Sequence, residues 1–258
     1  MIKAINRKAF IQMAGWGTAG LLIPSSGFLS RDTKIKAVAF DAFPIFDPAS
    51  IFKPVTELVP AQAKQLIELW QAKLFSYQWL RGLANNYRNF LDIARDALDF
   101  ALAQSKLRLS DKEKDLIMAG YDSMNIWPDV VPALQAIKKQ GLRVSFLSNM
   151  TAKMLHRGIQ NSNLSEFFDL IISTDEKHTY KPSKEAYQMA IERLKLKKEE
   201  ILFVPSAGWD QAGAKWFGYP TFWVNRSGSL LEDLDAKPDG SGSTLNDLVE
   251  FIIMHNKD

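Results

Sequence analysis

The stretch Lys36-Ala-Val-Ala-Phe-Asp41 is a short apolar run that ends in a carboxylate. A buried parallel strand has this pattern when its last residue faces a ligand crevice at the carboxyl edge of a sheet. Four later runs share the pattern: Arg143–Ser148, Asp169–Ile172, Ile201–Val204 and Thr221–Val224. The sequence therefore predicts that Asp41 lies at the edge of a buried parallel sheet.

Helical patterns separate the predicted strands. They cover residues 129–140, 151–161, 183–195 and 209–217. Gly240–Ser243 has the composition of a flexible loop, and a final helix is predicted over Leu245–Met254. Because strands alternate with helices, we expect an α/β fold with a doubly wound, Rossmann-like parallel sheet.

Residues 61–124 have a different pattern. They lack a clear strand signal and show long amphipathic periodicity, which predicts three or four helices. This segment lies between the first and second predicted strands, and Trp127-Pro128 marks the return of the chain to the sheet. We therefore expect a core of residues 34–47 and 128–258 and an inserted helical cap of residues 48–127.

The N-terminal segment, residues 1–30, reads as an export signal. It has a basic start and then an uncharged stretch from Ala9 to Leu29, with small residues near Ser25 that a peptidase could cut. Asn6-Arg-Lys-Ala-Phe-Ile-Gln12 resembles a twin-arginine motif in which Lys8 replaces the second arginine. These features predict a periplasmic or cell-envelope protein. An uncleaved membrane anchor, a disordered extension and a cytoplasmic location are the alternatives.

Composition excludes several classes of site. The net charge of +3 is carried by the N-terminal segment, so the rest of the chain offers no basic excess for nucleic acid. The absence of cysteine excludes disulfides, thiolate catalysis and cysteine zinc sites. The three histidines lack metal-ligand spacing, and Gly15–Gly20 spells GxGxxG without a preceding strand. We therefore predict a small-molecule substrate, no cofactor and no metal.

The order of the polar residues is more specific. Asp41 follows the first strand, a helical insertion comes next, Ser148 ends a later strand, and Lys181 and Asp210 follow. The most telling stretches are Phe40–Asp47, Leu69–Arg81, Leu147–Asn149, Tyr180–Pro182 and Ile201–Pro220. In this order they resemble the haloacid dehalogenase superfamily, and within it the (S)-2-haloacid dehalogenases. The resemblance runs from Lys36 to about Arg226.

The resemblance implies a nucleophilic mechanism. Asp41 would attack carbon and form an ester, Lys181 would hold Asp41 ionised, and Asp210 would orient Lys181 and polarise the hydrolytic water. Ser148 and Asn149 would bind the substrate carboxylate. Taken alone, Asp41 would read as a helix-capping or turn residue and Lys181 as solvated surface, Ser148 is equally well explained as a helix cap, and an N-cap carboxylate is the alternative for Asp210.

Four further residues are candidates for substrate binding. Tyr187 matches a tyrosine of the family's site, and Trp209 and Phe90 are candidates for the wall of a small apolar pocket. Gln71 occupies the position of a cap arginine that would receive the halide or steer the substrate. Simple core packing is the alternative for the aromatic residues.

The chain departs from the family pattern at positions that concern chemistry. Phe43 stands where the superfamily's phosphatases have a second aspartate, which favours halide over phosphate release. Ile45, Pro205 and Ala207 replace hydrogen-bonding side chains, and Gln71 replaces a charge. The leading hypothesis is a dehalogenase of short 2-haloalkanoic acids that forms homodimers through the cap. A phosphatase and a decayed binding protein on the same scaffold are the alternatives.

Overall fold

The computed structural model describes residues 33–257. At its centre is a parallel sheet of four strands, which are β1 (Ala37–Phe40), β4 (Arg143–Ser148), β5 (Leu170–Ser173) and β6 (Ile201–Val204). Their spatial order is β5-β4-β1-β6. The first strand in the sequence is therefore central, and the carboxyl ends of its neighbours β4 and β6 lie beside Asp41.

Five helices of the described chain alternate with these strands or follow them. They are α5 (Val130–Lys139), α6 (Ala152–Asn161), α7 (Lys184–Leu194), α8 (Gly208–Phe217) and α9 (Leu245–Lys257). Two clusters of buried apolar residues contain alternate residues of β1, with Val38 and Phe40 in one and Ala37 and Ala39 in the other. A strand buried on both faces explains why β1 reads as a continuous apolar run. The predicted α/β parallel-sheet fold is confirmed.

A helical region is inserted between two short strands. β2 (Phe46–Asp47) and β3 (Asn125–Ile126) pair antiparallel and carry the chain out of the core and back. Between them lie α1 (Ala49–Leu58), α2 (Ala63–Leu83), α3 (Phe90–Gln104) and α4 (Asp111–Ala119). The predicted helical character of this segment is confirmed, while the division into core and cap at residues 48 and 127 stays a prediction.

Cap and core share apolar contacts. Ile51, Leu66 and Trp70 belong to the same buried cluster as Val38 and Phe40 of β1. The Trp70 indole N–H donates to the Ala94 carbonyl oxygen at 2.8 Å, which satisfies the one polar atom of that side chain. Because one apolar cluster includes both regions, the cap is held against the edge of the sheet that carries Asp41.

The last two strands correct the sequence prediction. β7 (Phe222–Val224) pairs parallel with β8 (Gly240–Gly242), and an isolated bridge between Phe203 and Thr221 connects it to β6. The prediction of a flexible loop over Gly240–Ser243 was wrong. A Cβ atom at Gly240 would lie 2.6 Å from the Phe251 ring, so these glycines allow close packing of the strand.

The predicted export signal, residues 1–30, lies outside the described residues. So does the GxGxxG stretch that it contains. Within residues 33–257, no helix is both long enough and apolar enough to cross a membrane.

Candidate active site

The carboxyl edge of the sheet brings Asp41 and Ser148 together. Asp41 directly follows β1, and its backbone N–H donates to the Val204 carbonyl oxygen of β6 at 3.0 Å. Ser148 is the last residue of β4, and its hydroxyl donates to Asp41 Oδ1 at 3.1 Å. Parallel neighbours end at the same edge, so strand register alone places these side chains in contact.

Lys181 links Asp41 to Asp210. Its ammonium donates to Asp41 Oδ1 at 2.8 Å and to Asp210 Oδ2 at 2.6 Å, and the side chain is only 1% exposed. A buried charge is stable only when it is paired and hydrogen-bonded, and two carboxylates meet that need here. The alternative that Lys181 is a solvated surface residue is wrong.

Asp210 is held at both oxygens. Oδ2 accepts from Lys181, and Oδ1 accepts from the Tyr187 hydroxyl at 2.7 Å. Asp210 lies in the first turn of α8, whose N-cap residue is Ala207, so its side chain does not cap the helix. Tyr187 is fully buried and fixes the carboxylate from the side opposite Lys181.

Burial and charge set the protonation of this cluster. Burial raises the pKa of Asp210 to about 6, and the Lys181 charge opposes that rise. Burial lowers the pKa of Lys181, but the charges of Asp210 and Asp41 outweigh it, so the net direction is upward. Burial and Asp210 both raise the pKa of Tyr187, which keeps its hydroxyl protonated and able to donate.

Asn149 connects the loop after β4 to Lys181. Its Oδ1 accepts from the Lys181 backbone N–H at 2.9 Å and from the Thr174 hydroxyl at 3.2 Å. The alternative that Ser148 caps the next helix is wrong, since Thr151 is the N-cap and accepts from the Met154 N–H. Ser148 is therefore free to contact Asp41.

Rings from the cap cover the start of α8. Trp209 lies 5.4 Å, between ring centroids, from both Phe75 and Trp79 of α2. Two rings of the cap therefore pack against Trp209, the residue that precedes Asp210. Whether Trp209 contacts substrate stays a prediction.

Two other predicted binding residues lie differently. Phe90 is buried at the start of α3 and packs edge-on against Tyr121 at 5.4 Å, so its position favours packing within the cap. Gln71 is partly exposed on α2, and among the described residues no hydrogen bond joins it to Asp41, Lys181 or Asp210. Their roles in binding stay predictions.

The sequence prediction missed Gln78 and Thr174. Gln78 is fully buried on α2, and its Oε1 accepts from Asn149 Nδ2 at 3.1 Å. The signal was present in the spacing, because Leu66, Trp70, Leu74 and Gln78 follow each other at four-residue intervals. A polar residue that continues an apolar stripe is the observation that could have found it.

The departures from the family pattern are accommodated by packing. Ile45 is fully buried, and its N–H donates to the Ala42 carbonyl oxygen in the turn after Asp41. The Pro205 carbonyl oxygen accepts from Val224, which ties the loop after β6 to β7. Between Pro205 and Ala207, the Ser206 hydroxyl is buried without a hydrogen-bond partner.

The described residues contain no cluster of three or more histidine, cysteine, aspartate or glutamate side chains that could hold a metal ion. Asp41 and Asp210 both bond to Lys181. The Lys181 ammonium therefore lies between the two carboxylates.

Comparison with known proteins decides the family. Residues 31–218 match the model of the haloacid dehalogenase-like hydrolases. This chain belongs to the haloacid dehalogenase-like hydrolase family. The resemblance inferred from the motifs is confirmed.

This haloacid dehalogenase-like hydrolase is similar in sequence to several dehalogenases. It is 33% identical to an (S)-2-haloacid dehalogenase of Pseudomonas sp. (strain YL), over 84% of this chain and 94% of the relative. It is also 33% identical to haloacetate dehalogenase H-2 of Moraxella sp. (strain B), over 85% and 98%.

Solved structures of similar proteins share the fold. A crystal structure of an L-2-haloacid dehalogenase matches with a TM-score of 0.83 and 34% identity, over 86% of this chain and 100% of that one. The L-2-haloacid dehalogenase of Xanthobacter autotrophicus with chloropropionic acid covalently bound matches with a TM-score of 0.77 and 28% identity, over 85% and 98%.

Proposed function

We propose that this hydrolase releases halide from short 2-haloalkanoic acids through an ester on Asp41. The observation that carries the proposal is the pairing of Asp41 Oδ1 with Lys181 at 2.8 Å and Ser148 at 3.1 Å. Both donors bind the same oxygen, so Oδ2 keeps its lone pairs, with only a 3.4 Å contact to the Phe43 N–H. Similarity to the named dehalogenases supports this choice of substrate.

The reaction has two steps. Asp41 Oδ2 attacks C2 in line with the carbon–halogen bond, the halide leaves with the bonding pair, and C2 is inverted. Water then adds to the Asp41 ester carbonyl while Asp210 takes one of its protons. The acyl–oxygen bond breaks, and the leaving alkoxide takes the proton of the added hydroxyl and departs as the 2-hydroxy acid. The carboxylate of Asp41 is restored, and one proton and one halide are released for each water consumed.

Phe43 weighs against the phosphatase alternative. A phosphate ester needs a proton on its leaving oxygen, and the side chain two residues after Asp41 is a partly buried phenyl ring. Halide leaves as a stable anion and needs no proton. The apolar residue at this position is therefore compatible with dehalogenation.

The test compares products. Purified protein is given 2-chloropropionate or a phosphate monoester with magnesium, and halide and phosphate release are measured. We expect halide release that is unchanged by chelator and abolished by Asp41→Asn, because an amide cannot form the ester. Phosphate release that chelator stops and magnesium restores would move the assignment to the phosphatases. If the protein releases neither halide nor phosphate, a binding protein would be indicated.

A further inference from the structure

Gln78 brings a buried amide from the cap to the residues around Asp41. It is 0% exposed on α2, a helix of the inserted region, yet its partner Asn149 belongs to the core loop after β4. Asn149 directly follows Ser148, whose hydroxyl contacts Asp41. Gln78 therefore contacts the residue that follows Ser148, at the same edge of the sheet as Asp41.

The hydrogen-bond network fixes which end of this amide is free. The Lys181 backbone N–H can only donate, so the Asn149 atom that accepts from it at 2.9 Å must be oxygen. The other Asn149 atom is then the NH₂ group, which must donate to an oxygen of Gln78 at 3.1 Å. The remaining Gln78 atom is Nε2, an NH₂ group with two hydrogens.

Nε2 of Gln78 is buried and has no hydrogen-bond partner. A buried donor without a partner is destabilising, and such groups in folded proteins call for an explanation. Gln78 is 0% exposed, so bulk water does not reach this group, and a molecule bound between cap and core would supply its partner. An acceptor on a bound ligand meets that requirement.

The charge around Lys181 indicates which ligand atom this is. One ammonium faces two carboxylates, Asp41 and Asp210, so with all three ionised the cluster carries a net negative charge. An anionic substrate therefore needs hydrogen-bond donors in addition to those expected from Ser148 and Asn149, and the cap position expected to hold an arginine is Gln71. Carbon-bound halogen is a weak acceptor, whereas a carboxylate oxygen is a strong one.

We propose that Gln78 binds the carboxylate of the substrate through its Nε2 group. The inference rests on the proposed function, because it names the contact between the cap and the 2-haloacid. Gln78 is a binding residue, since the bond that breaks is the one between C2 and the halogen. Its loss should weaken binding of carboxylates and leave the chemical steps almost unchanged.

The experiment measures binding of propionate, which has the carboxylate but no leaving group. Calorimetric titration is carried out on the full chain and on Gln78→Met, which has a similar shape but no N–H. We expect the Kd to rise roughly ten- to a hundredfold, as for the loss of a hydrogen bond to a charged group. Gln135→Met, on the exposed face of α5, is the matched control and should bind as the wild type does.

A second variant separates binding from support of Asn149. Gln78→Glu keeps an oxygen for Asn149 Nδ2 but replaces the free NH₂ with a second oxygen. At pH 8 we expect it to lose at least as much affinity as Gln78→Met. If Gln78→Glu binds like the wild type while Gln78→Met does not, the effect belongs to Asn149 and the inference is overturned.

Halide release is measured in parallel on 2-chloropropionate, with thermal unfolding to verify folding. We expect KM to rise with Kd in both Gln78 variants while kcat changes less than threefold. If the wild type releases halide and the folded variants bind propionate normally, this inference fails and the function stands. If the wild type binds propionate in a Gln78-dependent way but releases no halide, the function fails and the binding site stands.

Discussion

Asp210 is a carboxylate whose only described ionic partner is Lys181, and burial raises its pKa to about 6. A base must be unprotonated to accept a proton from water, so ester hydrolysis should fail as the pH falls through this value. The negative charge of Asp41 also raises the Asp210 pKa, and that charge is absent in the ester. The acidic limb of kcat should therefore lie at or somewhat below pH 6.

The measurement is kcat for 2-chloropropionate between pH 4 and 9. We expect a plateau above pH 7 and a tenfold loss for each pH unit on the acidic side. Asp210→Asn should remove the limb and reduce kcat at every pH. A wild-type profile that stays flat down to pH 4.5 would show that another group takes the proton.

A covalent intermediate should accumulate during turnover. The resemblance implies two polar side chains after β6 that would hold the hydrolytic water. Pro205 and Ala207 occupy these positions here, and neither side chain can make a hydrogen bond. Loss of one well-placed polar contact costs about 10²-fold or more in rate, so hydrolysis should be slower than formation of the ester. Intact-mass spectrometry of a quenched reaction with 2-chloropropionate should show an adduct on the peptide that contains Asp41.

Clean multiple turnover without an adduct would contradict this expectation. The buried Ser206 hydroxyl, which has no hydrogen-bond partner, would then be the first group to examine as a ligand of the water. In that event Ser206→Ala should make the adduct appear. If Ser206 has no part in hydrolysis, the amount of adduct in Ser206→Ala should be almost the same as in the wild type.

Sequence order was enough to predict which polar residues meet, but not how they are joined. Asp41, Lys181 and Asp210 were predicted together because their order along the chain resembles that of the haloacid dehalogenase superfamily, whereas Lys181 taken alone would read as solvated surface. Gln78 was missed because it belongs to a helix of the insertion, and nothing in sequence order says which insertion residue faces the sheet. Its polarity within an apolar stripe was the only signal.

At the scale of elements, α8 packs against the loop that carries Lys181. A Cβ atom at Gly213 would lie 2.6 Å from the Tyr187 hydroxyl and 2.7 Å from Pro182 Cβ. Gly213→Ala should therefore push Tyr187 away from Asp210, lowering stability by about 1–3 kcal/mol and reducing kcat. Thermal unfolding and halide release test both effects.

Gly82→Ala is the matched control for this element. Gly82 is also helical, in α2, and an added Cβ would meet nothing within 4 Å. This change should be neutral or slightly stabilising, because alanine restricts the unfolded chain and favours the helix. If Gly213→Ala behaves like Gly82→Ala, close packing between α8 and Tyr187 has no part in positioning Asp210.

Strands and helices were predictable where the spacing of apolar residues in the sequence matches the faces that the fold buries. β4 and β6 begin and end where their apolar runs predict, because a strand covered on both faces has a continuous apolar sequence. β8 was missed because its sequence is Gly-Ser-Gly, which has no apolar signal. Gly240 of this strand packs closely against Phe222 and Phe251, and packing between distant segments cannot be predicted from a local sequence pattern.

At the scale of the whole molecule, residues 1–30 predict export. The basic start and uncharged stretch belong to a segment outside the described structure, so a direct assay is needed. Fused to a reporter and expressed in a host with the twin-arginine pathway, the segment should carry the reporter out of the cytoplasm. Replacing Arg7 and Lys8 together should stop this, whereas a wild-type fusion that stays cytoplasmic and uncleaved would contradict the prediction.

The cap exposes apolar side chains that a second copy of the chain could cover. Leu80 and Leu83 are 60% and 86% exposed near the end of α2, and Trp79 beside them is 36% exposed. Residues three apart on a helix share a face, so the two leucines form one apolar surface. Clustered exposed apolar residues of this kind mark association sites more often than isolated ones do.

We therefore predict a homodimer formed through the end of α2. Light scattering at micromolar concentration should give twice the 29.2 kDa mass of the chain. Leu80→Lys combined with Leu83→Lys should restore the mass of a single chain, because burying two ammonium groups opposes association. Leu230→Lys, at a leucine 92% exposed in the segment between β7 and β8, should leave the dimer intact. A wild-type mass of one chain would reject the dimer, and a dimer that survives the double change would place its interface on another face.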